Sequence, residues 1–109
     1  MKKNDKVYLL HILEAINQIR EYTQDLDYDG FLKSRLVQDG VIRQLEIIGE
    51  ATKNLSQETR DKDVQIPWKD MAGMRDVLIH QYFGVDLVAV WTTVEQDLPF
   101  LEQGISRLR

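Results

Sequence analysis

Apolar residues recur along this chain at three- and four-residue intervals, while strand-like alternation is hard to find, so the pattern predicts helices throughout. Leu9, Ile12, Leu13, Ile16 and Ile19 form one apolar stripe and predict a first helix over about Asp5 to Gln24. Turn residues follow from Asp25 to Gly30. Leu32, Leu36, Val37, Val41, Leu45, Ile48 and Leu55 keep the helical period and predict a second helix over about Gly30 to Leu55. Gly40 and Gly49 sit inside it, and each weakens a helix by up to about 1 kcal/mol relative to Ala. Each therefore implies a packing reason, and at Gly49 a close helix crossing is expected.

Ser56 reads as the N-cap of a short helical turn through Arg60. A polar stretch from Asp61 to Gln65 leads to Ile66-Pro67-Trp68, where Pro67 suits the first position of a helix because its missing N–H is not needed there. The third helix is expected over about Pro67 to Gln81, ending before Gly84. Asp86 should cap a fourth helix whose core face is Leu87, Val90, Trp91, Val94, Leu98 and Leu101. Pro99, lacking a donor and crowding the preceding turn, should bend this helix or split off its last turns. Short connections favour antiparallel neighbours. The expected architecture is therefore all-α: an up-and-down bundle of four main helices plus short helical turns, one domain over 1–109.

The composition fits that picture. Of the 109 residues, 43% are hydrophobic and 29% charged, as in ordinary globular proteins. So short a chain buries only around two thirds of its unfolded surface, and pairing with a second copy would add to its core. The absence of Cys removes disulfides, thiolate nucleophiles and cysteine-based zinc sites. No apolar run is long enough for a membrane span, and the basic start Met1-Lys2-Lys3 is followed by a segment interrupted by Lys6, His11 and Glu14, a poor signal peptide. A cytoplasmic location and no membrane partner are the expectation. The net charge of −4 counts mildly against a nucleic-acid role, so any RNA contact must come from a local patch or from two subunits meeting.

The sequence holds no phosphate-binding P-loop, no dinucleotide fingerprint and no nucleophile elbow. Its only histidines, His11 and His80, have no second ligand at zinc spacing, so neither a metal nor a cofactor is expected. The segment that can carry chemistry is Gly73 to Gly84. On a helix, Arg75 and His80 lie about 140° apart and about 7.5 Å along the axis, and could line one cleft from the side. Arg75 and Tyr82 return to nearly the same face if the helix lasts that long. An imidazole exchanges a proton near neutral pH, and a guanidinium stabilises a phosphate whose charge grows in the transition state. Together they suit phosphodiester cleavage by the RNA 2′-hydroxyl, which needs no metal. The spacing alone equally fits a plain structural role: Arg75 in a salt bridge with Asp70 or Glu50, and His80 as a cation favoured at a helix C-terminus.

Arg75-x4-His80-x-Tyr82 resembles the R-x4-H-x-Y signature of the HepT-like toxins, a branch of the HEPN superfamily. The resemblance extends to Tyr28-Asp29-Gly30-Phe31-Leu32, Arg43 through Ala51, Ile66-Pro67-Trp68, Gly73-Met74-Arg75 and Tyr82 through Asp86, and continues in Val90-Trp91 and Asp97-Leu98-Pro99. It covers nearly the whole chain in order. It implies a HEPN helical bundle, usually a homodimer, in which the motif helices of two subunits build one cleft. It implies a metal-independent endoribonuclease, the toxin of a type VII toxin–antitoxin pair. The antitoxin would be an MntA-like minimal nucleotidyltransferase that silences the toxin by AMP transfer from ATP to the motif tyrosine. Carried over, Arg75 stabilises the phosphate, His80 is the acid or base, and Tyr82 is the modification target. Asp76 stands where the family often has Asn. Its carboxylate would repel substrate or orient His80 or Arg75. The alternative is a HEPN module that binds nucleotide, RNA or the transferase without cutting, and a third reading is a purely structural subunit.

Other residues read more plainly. Glu46 and Glu50 suggest a charged face with Arg43, or, for Glu50, a carboxylate orienting Arg75. Lys33, Arg35 and Arg43 are a basic flank for RNA or ordinary surface charge. Trp68 and Trp91 are expected in the core, although either ring could stack on bases. His11 is expected to be partly exposed, without chemistry.

Overall fold

A computed structural model describes the backbone of residues 4–80 and 86–108, and the side chains of the same residues apart from 75–80. The stripe from Leu9 to Ile19 is buried on α1 (Asp5–Thr23). A short α2 (Tyr28–Leu32) leads into α3 (Arg35–Lys53), and α4 (Gln57–Asp61) is a single turn. The remaining helices are α5 (Trp68–His80), α6 (Leu87–Thr92) and α7 (Leu98–Leu108), with a π-helical turn at Thr93–Asp97 between the last two. Among the described residues there is no strand. The architecture is the expected all-α bundle: α1, α3, α5 and the continuous rod from α6 to α7 are its main members.

Three contacts set the arrangement. The carboxylate of Asp5, at the start of α1, accepts hydrogen bonds from Ser56, just beyond the end of α3. At the other end of α1, the Tyr22 ring covers Gly40 near the start of α3, where an added Cβ would stand 3.0 Å from the ring. The two helices are therefore antiparallel, and the packing reason for Gly40 is this ring. The third contact is a bidentate ion pair from Arg20 to Glu102, 2.8 and 3.1 Å, which ties α1 to α7. Helix α3 packs against α1 and also against α5. Gly49 is buried on α3.

One core unites the helices: Leu9, Ile12 and Ile16 of α1 with Val41, Leu45 and Ile48 of α3, Met71 of α5 and Leu101 and Ile105 of α7. Each such side chain contributes about 1.5–3 kcal/mol when fully buried. Trp68 and Trp91 are core residues, as expected. The Trp68 indole N–H is shared between the carbonyls of Arg60 and Asp63 at 2.9 and 3.0 Å. The Trp91 ring lies 5.0 Å from that of Phe31, centroid to centroid.

The second helix differs from the expectation. It is not continuous from Gly30 to Leu55 but breaks at Lys33–Ser34. The Ser34 hydroxyl accepts from the Val37 amide and starts α3 afresh. The buried Gln38 amide donates to the carbonyls of Phe31 and Leu32 at 2.9 and 3.1 Å, satisfying acceptors that the break sets free. The break shifts the helical phase, so Phe31 enters the core while Leu36, expected on the core face, is 84% exposed. Leu32 is exposed as well.

The other capping expectations hold. Ser56 accepts from the Thr59 amide and Asp86 from that of Ala89. Helix α5 begins at Trp68, one residue after Pro67, whose carbonyl accepts from Met71. Its expected last residue, Gln81, lies outside the described residues. Pro99 does not split off the last turns, since α7 runs on through Leu108. Instead the hydrogen-bond register widens to π just ahead of it, and α7 continues through the proline. A π-turn is the accommodation expected where a donor is missing and the ring needs room.

Candidate functional site

The motif residues Arg75, Asp76 and His80 all lie on the backbone of α5, which is helical from Trp68 through His80. Regular helical geometry over this stretch puts Arg75 and His80 about 140° and about 7.5 Å apart, the separation expected from the sequence. Their side chains, and all of Tyr82, lie outside the described residues. Upstream, the helix is anchored in the core by Ile66, Trp68 and Met71, all buried. The motif is thus borne on a helix held at its N-terminal half by packing and by the doubly bonded Trp68 indole.

Glu50 sits on α3, the helix against which α5 packs. It is exposed, and its backbone carbonyl accepts from the Asn54 side-chain amide at 2.9 Å. Its side chain lines a groove between α1 and α3, of about 370 Å³, together with Tyr8, His11, Arg43, Glu46 and Asn54. Arg43 reaches Glu46 one turn away at 3.3 Å. Arg35 likewise faces Asp39, at 3.7 Å with both side chains largely exposed. Pairs of this kind are ordinary surface charge, worth little individually. Among the described residues no group of three His, Asp or Glu is arranged to hold a metal ion.

Two features were not anticipated from the sequence. Asp5 is a buried carboxylate that accepts from the Ser56 amide at 3.0 Å, the Ser56 hydroxyl at 2.5 Å and the Thr59 hydroxyl at 2.6 Å. It holds α1 to the start of α4 and has a structural part. His11, set aside as a residue without chemistry, stands in the α1–α3 groove, its ring 6.3 Å from that of Tyr8 at an interplanar angle of 80°. The spacing of Tyr8 and His11 on one helix was visible beforehand. That Arg43, Glu46 and Asn54 would face them was not.

The sequence model of the family described as "Ribonuclease HepT-like" matches residues 12–108. The chain belongs to the HepT-like family. It is 47% identical over 109 residues to "Probable ribonuclease HepT" of Thermococcus cleftensis, covering 100% of this chain and 99% of that one. It is 53% identical over 108 residues to "Gamma-glutamylcyclotransferase and putative RNase MJ0434" of Methanocaldococcus jannaschii. There it covers 99% of this chain but spans only 49%, about half, of the relative's length. A third relative, "Putative RNase MJ1380" of the same organism, is 40% identical over 104 residues, 95% of each chain. No solved structure matches the chain. The HepT-like match takes in α3, which carries Glu50, and α5, which carries Arg75 and His80. No helix among the described residues is long and apolar enough to cross a membrane.

Proposed function

We propose that this HepT-like chain is a metal-independent endoribonuclease, acting in the cytoplasm as the toxin of a type VII toxin–antitoxin pair. The observation that carries this reading is the pairing of a family match over residues 12–108 with an uninterrupted α5 that bears both Arg75 and His80. In the proposed reaction the RNA 2′-oxygen loses its proton to an imidazole and attacks the adjacent phosphorus. The new O–P bond forms as the bond to the 5′-oxygen breaks, and a proton returns to that leaving oxygen. The products are a cyclic phosphate and a free 5′-hydroxyl. His80 moves the proton, and Arg75 stabilises the charge that grows on the phosphoryl oxygens. A homodimer in which two α5 helices meet would supply both residues twice to one cleft. In this reading Asp76 orients His80 or Arg75, and Glu50, on the neighbouring α3, orients Arg75.

Regulation follows from the same site. An MntA-like nucleotidyltransferase would join the Tyr82 oxygen to the α-phosphorus of ATP, releasing pyrophosphate. The resulting phosphodiester adds a negative charge and a bulky base beside Arg75, which would pair with the charge and occlude RNA. Intact mass of the chain co-expressed with such a transferase tests this: added mass in units of AMP, lost in Tyr82→Phe, is expected.

The test of the nuclease reading is cleavage of single-stranded RNA by the purified chain in the presence of a chelator. The second reading, a module that binds without cutting, draws on the net charge of −4 and on Asp76. Tight partner binding with no cleavage, under conditions where the dimer is intact, would favour it.

A further inference from the structure

We propose that the groove between α1 and α3 is a subsite for one unpaired base of the RNA, selective for a base that carries an exocyclic amine. The inference rests on the nuclease reading for the identity of the strand, and on the groove itself for the base. At about 370 Å³ the cavity falls within the range of small-ligand sites, about 300–1,000 Å³. Its walls hold two aromatic rings, Tyr8 and His11, at 80° to one another. A base stacked on one ring meets the other edge-on, and both arrangements are favourable for π systems. Stacking on an aromatic side chain is how proteins hold splayed, single-stranded bases.

The polar wall is biased towards acceptors. Glu46 engages Arg43 through Oε2, which turns Oε1 over to a ligand. Asn54 donates its amide N–H to the Glu50 carbonyl, which leaves Oδ1 as an acceptor at the groove. Acceptors of this kind read the amino group of cytosine, as a carboxylate does in duplex recognition. Uracil presents a carbonyl at the same position and would set oxygen against oxygen. Arg43, with 69% of its side chain exposed and one of its nitrogens on Glu46, is placed to meet a flanking phosphate.

The position suits a strand cut elsewhere on the same molecule. Helix α3 packs against both α1 and α5, and neighbouring helix axes lie about 8–10 Å apart. A strand reacting at α5 that crosses the outer face of α3 reaches the groove within a few nucleotides.

The experiment uses the full chain carrying His80→Ala, so that RNA is not consumed, with fluorescently labelled hexacytidylate and hexauridylate as probes. The expected result is cytidylate binding about tenfold or more tighter than uridylate, a preference that falls in Glu46→Ala, which removes the carboxylate acceptors. His11→Ala, at an exposed position, is expected to weaken cytidylate binding about tenfold, and the His11 ring protons should shift on titration. Equal affinity for the two probes, or unchanged affinity in His11→Ala, would overturn the subsite. The two readings fail separately. RNA cleaved by the unmodified chain with the same KM and kcat in His11→Ala removes the subsite and keeps the nuclease. Selective cytidylate binding by a chain that cuts nothing keeps the subsite and removes the nuclease.

Discussion

Asp5 and Ser56 lie 51 positions apart, and the carboxylate of the first accepts both the amide and the hydroxyl hydrogen of the second. Thr59 adds a third donor. Asp5 also lies in the first turn of α1, where a negative charge is favoured by the helix dipole. Replacing the carboxylate with a methyl group strands three donors, the Thr59 hydroxyl buried and the Ser56 amide and hydroxyl partly so. Asp5→Ala should therefore lower stability by about 2–4 kcal/mol in urea titration. A loss below about 0.5 kcal/mol, the scale of an ordinary surface substitution, would show that the network does not hold α1 to α4.

A second prediction concerns Gly104 on α7. A Cβ there would stand 2.7 Å from Cδ1 and 2.8 Å from Cγ1 of Ile66, which is itself buried beside Trp68. Gly104→Ala forces a shift in a packed region and should cost about 1–3 kcal/mol. Ile66→Val removes the nearest of the two atoms, so the double variant should lose less than the sum of the single ones. Strict additivity in thermal unfolding would contradict the close approach.

The turn after α1 offers a stabilising change. Gln24 has φ −56° and ψ 135°, Asp25 has φ 65°, and the Leu26 amide donates to the Thr23 carbonyl at 3.0 Å. These are the marks of a type II turn, whose third position favours Gly. Asp25→Gly should raise stability by up to about 1 kcal/mol, because it relieves a left-handed conformation costly to a residue with a Cβ. A fall in melting temperature would argue against that backbone.

Much of the fold was legible in the chain because it rests on periodicity and caps. The Leu9–Ile19 stripe, Ser56, Asp86 and the Pro67-Trp68 start each act within a few residues. The break at Ser34 was not legible, since Leu32 and Leu36 stay in phase with an uninterrupted helix. What ends α2 is the hydroxyl of Ser34 and the amide of Gln38 bonding to backbone groups, interactions that a hydrophobic pattern does not register. The π-turn before Pro99 was missed for a similar reason: the proline signals a problem, and the backbone has more than one solution.

The candidate site divides in the same way. The relative register of Arg75 and His80 was legible because five residues on one helix fix it, and α5 supplies that helix. The groove holding His11 joins positions 32 to 46 residues apart and exists only once α1 and α3 lie side by side. Asp5 escaped notice because an acidic residue at a helix start is usually exposed. Its burial depends on Ser56 and Thr59, the N-cap and a residue of α4, being brought up beyond the far end of α3.

The central claim is that an imidazole at position 80 moves the proton in RNA cleavage. Its most direct test is the single-turnover cleavage rate of a labelled single-stranded RNA, with chelator present, for the unmodified chain and for His80→Ala of matched stability. Loss of general acid–base catalysis should slow cleavage by about 10²–10⁴-fold. A variant that folds, assembles like its parent and cuts RNA at the parent's rate would contradict the assignment.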